Sequence, residues 1–297
     1  MDKVVIITGP TAVGKTKCAL KIAEIFNTDI INGDAYQVYK YMNIGTAKPT
    51  KEELSKIKHH LIDVIDPTSE FNVATYQKMV RKIIDDEIKD NKLPLLVGGS
   101  GLYLESIICN YEFNKEDNID YEEKYQDYSN HELYLHLQSL DYDAAINIHE
   151  NNRKRVIRLI KKLEENKSLS NHKNEFVYEP LVIFLNDDRD ALYDRINSRV
   201  DQMIDNGLVE EAKKIYNMNL SKTAKVAIGY KQLFDYFDGL ITYDEAINKI
   251  KQASRNYAKR QLTWFRNKPF VTFVDINPDN FDETINIVKD KIIKFLK

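Results

Sequence analysis

The sequence predicts an α/β protein whose parallel β-sheet is flanked by helices, because short apolar runs alternate with segments of helical periodicity. Val4–Thr8 is a β-branched apolar run, and in Lys15–Phe26, which follows it, apolar residues recur at helical spacing. Tyr76–Asp90 has the same amphipathic spacing. Further strands are predicted at Asp29–Asn32, Leu61–Ile65, Leu93–Val97 and Pro180–Leu185.

Two later helices have recognisable ends. Asp188–Asn206 is predicted to stop at Gly207, since asparagine and glycine suit a left-handed C-terminal turn. Thr242–Glu245 forms a capping box that opens a helix running to about Arg266. On this helix we expect an apolar stripe, with cations on a different face. The stripe comprises Ile247, Ile250, Tyr257 and Trp264, and the cations are Lys251, Arg255 and Lys259.

Composition excludes several classes of protein. The chain has 297 residues, of which 43% are hydrophobic and 30% charged, as in ordinary globular proteins. No apolar run reaches the roughly 18–20 residues that cross a bilayer, and the N-terminus enters a strand without a signal-peptide pattern. The two cysteines, Cys18 and Cys109, have no metal-like spacing and form no disulfide framework. We therefore expect a cytoplasmic protein that does not enter membranes.

Charge and composition change after residue 110. Residues 111–150 are polar, acidic and tyrosine-rich, without strand periodicity, and are predicted to form a helical insertion between core segments 1–110 and 151–297. The net charge is only −3, but residues 151–173 and 251–268 each carry a balance of +6, whereas residues 112–132 carry −6. A polyanion responds to such local patches rather than to the total charge. Solvated helix faces are the alternative interpretation.

The most specific local motif follows the first strand. Gly9, Gly14, Lys15 and Thr16 satisfy the pattern G-x-x-x-x-G-K-[ST] of a P-loop. Glycines let successive backbone amides point at phosphate oxygens, and the following helix adds the positive end of its dipole. The motif predicts a P-loop NTPase-like core with a diphosphate-binding loop that consists of Gly9, Pro10, Thr11, Ala12, Val13, Gly14, Lys15 and Thr16.

The loop by itself does not define the reaction, because kinases, nucleotide hydrolases and other transferases share it. Gly9–Thr16, Asp34 and Ser100 all follow predicted strands, so we expect them to face one crevice. The loop alone favours ATP binding, and a kinase with Asp34 as base is one alternative. No predicted strand ends in the aspartate that holds Mg²⁺ in nucleotide hydrolases, and Asp63 is the nearest approach.

Long motifs identify the family. In chain order they are GPTAVGKT, Ile31–Thr50, His59–Asp63, Val97–Leu104, Arg195–Ala212, Ala227–Gln232 and Tyr257–Arg266. With them the chain resembles the tRNA dimethylallyltransferases, also called tRNA isopentenyltransferases, except over about residues 111–147. The resemblance implies transfer of a dimethylallyl group from its diphosphate to the exocyclic N6 amine of the adenosine that follows the anticodon, in tRNAs reading codons that start with U.

The resemblance also assigns roles. The P-loop would hold the diphosphate of dimethylallyl diphosphate, with Mg²⁺ as cofactor on the Thr16 hydroxyl and with charge stabilisation from Lys15, Arg195 and Arg199. Salt bridges to Asp188 or Asp194 are the alternative for the two arginines. His59 is expected to contact the diphosphate. The adjacent His60 has the same two interpretations, substrate contact or structural histidine, and the sequence shows no metal-ligand companions for either.

A carboxylate is needed because an aromatic amine must lose its proton as the new bond forms. Asp34 matches the family's base, and Ser100, where the family usually has threonine, is expected to orient Asp34 or the amine. A turn aspartate and an ordinary loop serine are the alternatives. Ala35 replaces the family's serine, which removes one hydroxyl. In the same way, His149–Asn152 departs from the family's HPND.

The predicted partner is the anticodon stem-loop of tRNA, whose target base must leave its stack. A monomer is expected. The predicted tRNA contacts are Asp34, Ala35, Tyr36, Gln37, Ser100, Lys154, Arg155, Val156, Ile157, Arg158, Arg255, Lys259 and Arg260. A transferase acting on free adenine nucleotides and a non-catalytic RNA-binding protein are the other hypotheses. The extended cationic segments argue against the first, and Ala35 is the best support for the second.

Overall fold

The computed structural model describes residues 1–111, 113, 121–165 and 175–297. Two compact units are present: Met1–Cys109 with Phe176–Lys297, and Asn110–Glu175. The second unit begins where the predicted insertion begins, but it continues to Glu175 rather than ending at residue 150. Within the described ranges, no helix combines the length and apolar composition needed to cross a bilayer.

Strands and helices alternate through the first unit. In chain order its elements are β1 (Lys3–Thr8), α1 (Lys15–Phe26), β2 (Ile30–Asn32), α2 (Lys51–Lys56), β3 (His59–His60), α3 (Val73–Lys89), β4 (Leu95–Val97) and α4 (Gly101–Ile108). The second unit contains α5 (Tyr121–Lys124), α6 (Asn130–Leu140), α7 (Tyr142–Ile146) and α8 (Arg153–Glu164). The first unit resumes with β5 (Glu179–Asn186), α9 (Arg189–Asp205), α10 (Leu208–Tyr216), α11 (Lys222–Lys225), α12 (Tyr230–Phe237), α13 (Tyr243–Arg266), β6 (Val271–Asp275) and α14 (Phe281–Leu296).

The six strands form one parallel sheet in the order β3-β2-β4-β1-β5-β6. Val5 in the central strand lies opposite Leu95 on one side and Leu181 on the other. The central strands β1, β4 and β5 are largely apolar on both faces because helices cover both faces of such a sheet. The buried core joins β1 and β5 to residues of α1, α9 and α14. The prediction of a P-loop NTPase-like parallel sheet with flanking helices is confirmed.

One predicted strand is wrong. The third strand is His59–His60 rather than Leu61–Ile65. Leu61 and Asp63 have positive φ values of 61° and 55°, which turn the chain away from the sheet. The apolar letters of that segment led to the error, because the residues that pair with β2 are two histidines.

The long helix α13 confirms its predicted ends but not its predicted stripe. Thr242 and Glu245 form both hydrogen bonds of the capping box, and the helix ends at Arg266. Its buried face is Ala246, Ile250, Ala258, Gln261 and Phe265, whereas Trp264 is 39% exposed. The stripe is therefore rotated from the predicted one, and a glutamine lies within it.

Candidate active site

Three loops follow three neighbouring strands and meet at one edge of the sheet. They are Gly9–Thr16 after β1, Gly98–Ser100 after β4 and Gly33–Gln37 after β2. The Gly33 amide donates to Val97 O at 2.7 Å, so the second and third loops leave the sheet side by side. A Cβ on Gly98 would lie 2.2 Å from the Gly33 backbone, so only glycine permits this approach. The glycine-rich loop and Asp34 line one crevice, as expected, whereas the loop after β4 lines it through Gly98 and Gly99 rather than Ser100.

The glycine-rich loop (Gly9–Thr16) curls around the Lys15 side chain. Gly14 has a φ of 98° and Ala12 a φ of 66°, left-handed values that a close turn requires. Lys15 Nζ donates to Gly9 O at 3.0 Å and to Pro10 O at 2.8 Å. Burial, together with the positive charge of Arg199, lowers the pKa of Lys15 to about 7, although Asp34 opposes the shift. The loop thus holds a lysine whose positive charge is less favourable than that of a solvated lysine.

Two arginines of α9 reach the same loop. Arg195 Nε donates to Ala12 O at 3.3 Å, and Arg199 Nη1 donates to Thr11 Oγ1 at 3.4 Å. Arg195 also pairs with Asp187, at the end of β5. The alternative partners Asp188 and Asp194 are not the ones found: Asp188 instead caps α9. Four-residue spacing on one helix face therefore delivers both guanidinium groups to the loop.

Asp34 lines the same crevice. Its amide donates to Asn32 Oδ1 at 2.9 Å, and its own Oδ1 accepts from the Tyr36 amide at 2.8 Å, as in an Asx-turn. Burial raises the pKa of Asp34, and the Tyr36 amide and Lys15 partly offset the shift. A carboxylate with a raised pKa is a stronger base than a solvated one.

Ser100 connects the second and third loops. Its Oγ accepts from the Ala35 amide at 3.2 Å and lies 3.3 Å from the Tyr257 hydroxyl on α13. Burial raises the pKa of Tyr257, so this hydroxyl keeps its proton. Ser100 therefore fixes the backbone beside Asp34 rather than the Asp34 carboxylate itself.

The glycine-rich loop, the two arginines of α9 and Asp34 line one cavity of about 730 Å³. Among its lining residues are Thr11, Lys15, Thr16, Asp34, Tyr36, Gln37, His59, Arg195, Arg199, Tyr257, Arg260 and Gln261. Thr16 is exposed. Its hydroxyl is a hard oxygen donor of the kind that Mg²⁺ prefers beside substrate phosphates, so it fits the predicted Mg²⁺. A volume of this size lies in the range of small-molecule binding pockets.

Known proteins resemble this chain over most of its length. The sequence model of the IPP transferase family matches residues 37–268. The chain is 46% identical to a tRNA dimethylallyltransferase of Bacillus subtilis strain 168 over 286 residues, which cover 93% of this chain and 91% of the relative. The chain belongs to the IPP transferase family.

Solved structures of the family share the fold. A tRNA isopentenylpyrophosphate transferase of Bacillus halodurans superposes with a TM-score of 0.76 at 41% identity, covering 99% of this chain and 96% of that one. A eukaryotic dimethylallyltransferase acting on tRNA gives a TM-score of 0.76 at 26% identity, covering 93% and 74%.

The two histidines of β3 have different surroundings. His59 lines the cavity, with Nδ1 2.8 Å from Ile57 O. His60 Nε2 lies 3.1 Å from Asp29 Oδ2 and 3.2 Å from Glu87 Oε1, so the statement that the histidines lack metal-ligand companions is wrong for His60. Burial tends to raise the pKa of Asp29, but hydrogen bonds from Lys92, Lys58 and His60 outweigh it and lower this pKa to about 2. Ammonium groups thus already neutralise this cluster.

The Gln37 amide is engaged within its own unit. Its Nε2 donates to Thr46 O at 3.1 Å and to Ala47 O at 3.2 Å. A primary amide has two N–H donors, and both have partners here. A base-edge contact by Gln37 would therefore use its amide oxygen.

The remaining predicted tRNA contacts lie on two helices. On α8, in the second unit, Lys154, Arg155 and Arg158 are exposed, whereas Val156 and Ile157 are buried in the core of that unit. This restricts the prediction for the segment to its three basic side chains. Parts of the acidic and basic runs, residues 112, 114–120 and 166–174, lie outside the described residues.

On α13 the predicted contacts have different surroundings. Arg255 Nη1 donates to Asn197 Oδ1 at 2.5 Å, and Lys259 is exposed. Arg260 lies over the Tyr257 ring, 5.7 Å from its centroid, and lines the cavity. Of the three, Arg260 is thus the one beside the candidate active site.

Gln261 was missed by sequence reasoning. It is 4% exposed, its Oε1 accepts from the Thr11 amide at 2.9 Å and its Nε2 donates to Gly99 O at 3.0 Å. A polar residue four positions after Tyr257, on the buried face of a helix, is the sequence feature that could have revealed it.

Proposed function

We propose that this chain transfers a dimethylallyl group from dimethylallyl diphosphate to the N6 amine of the adenosine 3′ of the anticodon, in tRNAs that read codons starting with U. The family assignment and the names of the relatives support prenyl transfer to tRNA. The acceptor atom, the tRNA subset and a monomeric state are the finer parts of the proposal.

The observation that carries the proposal is one cavity with two opposite electrostatic sides. The glycine-rich loop, Lys15 and Arg199 form a cationic cradle, and the Asp34 carboxylate lines the same space. A diphosphate ester fits the first side, and an amine that loses a proton fits the second. Prenyl transfer to an amine needs both in one place, because bond formation and departure of the leaving group involve the same carbon.

On the acceptor side, Asp34 acts as the general base. The N6 nitrogen forms a bond to C1 of the dimethylallyl group, and the bond between C1 and the diphosphate oxygen breaks with its electron pair on the diphosphate. The N6 proton passes to Asp34. Burial raises the pKa of Asp34, which favours accepting that proton from a weakly basic aromatic amine.

On the leaving-group side, negative charge develops on the diphosphate as it departs. Lys15 would exchange its bonds to Gly9 O and Pro10 O for diphosphate oxygens, and Arg195 and Arg199 would contact the same group. The Thr16 hydroxyl would hold the predicted Mg²⁺, which would supply further charge neutralisation. Charge stabilisation is useful here because the cavity excludes part of the solvent.

The target base must be extruded from the anticodon loop to reach Asp34. Tyr36 and the Arg260–Tyr257 pair line the cavity and offer planar groups for stacking. Lys154, Arg155 and Arg158 on α8 and Lys259 on α13 are exposed cations for the phosphate backbone.

The test uses purified protein with Mg²⁺ and radiolabelled dimethylallyl diphosphate, and offers tRNA, AMP or ATP as acceptor. We expect label on tRNA, at an adenosine located by nuclease digestion. Label on AMP alone would identify a free-nucleotide transferase, and absence of label from tRNA would refute the proposal. A tRNA whose target adenosine is replaced by guanosine is the matched control.

A further inference from the structure

One face of α13 contacts three consecutive residues of the turn after β4. The Tyr257 hydroxyl lies 3.3 Å from Ser100 Oγ, and Gln261 Nε2 donates to Gly99 O at 3.0 Å. A Cβ on Gly101 would lie 2.5 Å from the Trp264 ring. The spacing of these helix residues is four and then three, so all belong to one helical face. The helix therefore fixes the turn that carries Ser100.

Gln261 differs from Tyr257 and Trp264 because it also contacts the glycine-rich loop. Its Oε1 accepts from the Thr11 amide at 2.9 Å, while its Nε2 contacts Gly99. The side chain is 4% exposed, so solvent cannot replace either bond without a rearrangement. One buried amide thus bridges two loops that are separated in sequence by almost ninety residues.

Gly99 supports this bridge independently. A Cβ at that position would lie 2.0 Å from Gln261 Nε2. Any larger residue would displace the amide, so the turn and the glutamine fit each other closely. The contact is direct and has no room for a mediating water.

Each end of the bridge leads to a different half of the chemistry. Thr11 also accepts from Arg199, on the leaving-group side. Gly99 precedes Ser100, which holds the Ala35 amide next to Asp34 on the acceptor side. We propose that Gln261 is a positioning residue that sets the separation between the diphosphate cradle and the catalytic base. This inference rests on the proposed function.

The expected consequence concerns the chemical step. Reacting atoms must lie about 3–3.5 Å apart, and a misplacement of about 1 Å can reduce the rate about 100-fold. Gln261 contacts backbone atoms of the two loops, so its loss should lower kcat more than it raises the KM for dimethylallyl diphosphate. A merely structural role would change the folded fraction and leave the kcat of the folded enzyme intact.

Gln261→Glu separates the two ends of the bridge. A glutamate keeps an oxygen that accepts from the Thr11 amide, but when ionised it loses the donor to Gly99 O. When protonated it regains that donor. We expect kcat of Gln261→Glu to fall about 10- to 100-fold near pH 8, and the ratio of variant to wild-type kcat to rise as the pH falls. Gln261→Leu should lose activity without this recovery. Gln252→Glu, at an exposed position on the same helix, is the matched control and should behave as wild type.

Single-turnover rates would be measured with tRNA and labelled dimethylallyl diphosphate below the thermal unfolding onset of every variant. A pH-dependent ratio in Gln261→Glu, with a flat ratio in Gln261→Leu, supports the inference. Unchanged kcat in both variants, or losses that only follow the folded fraction, would overturn it alone. If wild-type protein transfers nothing, the proposed function fails and this inference fails with it.

Discussion

The two sides of the cavity are built in opposite ways. On the leaving-group side most of the site is one contiguous segment, Gly9–Thr16, to which α9 adds two arginines. On the acceptor side Asp34 depends on a chain of contacts through Ala35 and Ser100 to Tyr257, which is 157 residues from Ser100. The backbone of the anion cradle is thus encoded locally, although its arginines come from much later in the chain. The loop that carries the base has a local turn at Asp34 but is held against α13 by long-range packing.

The largest expected effect comes from removing the base on the acceptor side. Asp34→Asn keeps the size and the Asx-turn oxygen but removes the proton acceptor, so we expect single-turnover transfer to fall by about 10²–10⁴-fold. Diphosphate affinity, measured by calorimetry, should change little, because the cationic cradle is intact.

Asp205→Asn, at an exposed position near the end of α9, controls for removal of a charge. If Asp34→Asn retained the wild-type rate, Asp34 would not be the base, and the opposition between the two sides would lose its chemical meaning.

The second-largest effect comes from removing an arginine on the leaving-group side. Arg199→Ala removes a guanidinium that donates to the Thr11 hydroxyl, and we expect kcat to fall by about 10²–10³-fold. Arg195 is already paired with Asp187, so Arg195→Ala should cost less, about tenfold or about 1.4 kcal/mol in the barrier. Equal losses in the two variants would show that the Asp187 pair does not divert Arg195 from the diphosphate.

The same contrast explains what the sequence could predict. The glycine-rich loop was predicted because its function depends on consecutive residues. Gln261 was not, since a polar letter on a helix is normally assigned to solvent, and only the packed structure shows it on the buried face. The third strand was misplaced because its paired residues are histidines, and the Arg195 partner was missed because Asp187 lies just before the helix.

A third prediction tests long-range support of the acceptor side. Glu211 on α10 accepts from the Ile44 amide at 2.8 Å, the Gly45 amide at 3.2 Å and the Tyr230 hydroxyl at 2.5 Å, and Gly45 lines the cavity. Glu211→Gln weakens these charge-assisted bonds, so we expect the free energy of unfolding to fall by about 2 kcal/mol. Urea denaturation measures it.

Glu210→Gln, at the adjacent exposed position, should leave the unfolding free energy within about 0.5 kcal/mol of wild type. If the two variants had equal stability, the Glu211 contacts would contribute no net stability to the loop. A raised KM for tRNA in Glu211→Gln alone would link the loop to the acceptor side.

A fourth prediction uses pH to test the role of Lys15 on the leaving-group side. The pKa of Lys15 is lowered to about 7, so the lysine is charged below that pH and loses its proton above it. A bound diphosphate favours the charged form, so its affinity should be greatest below about pH 7 and fall by up to about tenfold per pH unit above it. Calorimetry with inorganic diphosphate should also detect proton uptake there.

Lys15→Arg is the control, since arginine stays charged throughout this range. That variant keeps only the titration of the diphosphate itself, which strengthens binding as the pH rises through about 6. Parallel pH profiles in wild type and Lys15→Arg would contradict a neutral lysine in the loop.

The smallest effect concerns Ala35, the residue that follows Asp34. Ala35 is 8% exposed, and its amide donates to Ser100 Oγ at 3.2 Å. Ala35→Ser adds one hydroxyl beside Asp34, and a new hydrogen bond of about 0.5–1 kcal/mol corresponds to a gain of roughly two- to fivefold in kcat/KM. Ala253→Ser on α13 is the control. A gain in kcat/KM without a change in thermal stability would mean that the hydroxyl bonds the substrate. A gain in stability alone would mean that it bonds the neighbouring loop, and a loss of both would mean that the buried site has no room for it. Only the first outcome would show that the missing hydroxyl at position 35 lowers kcat/KM through the acceptor side of the cavity.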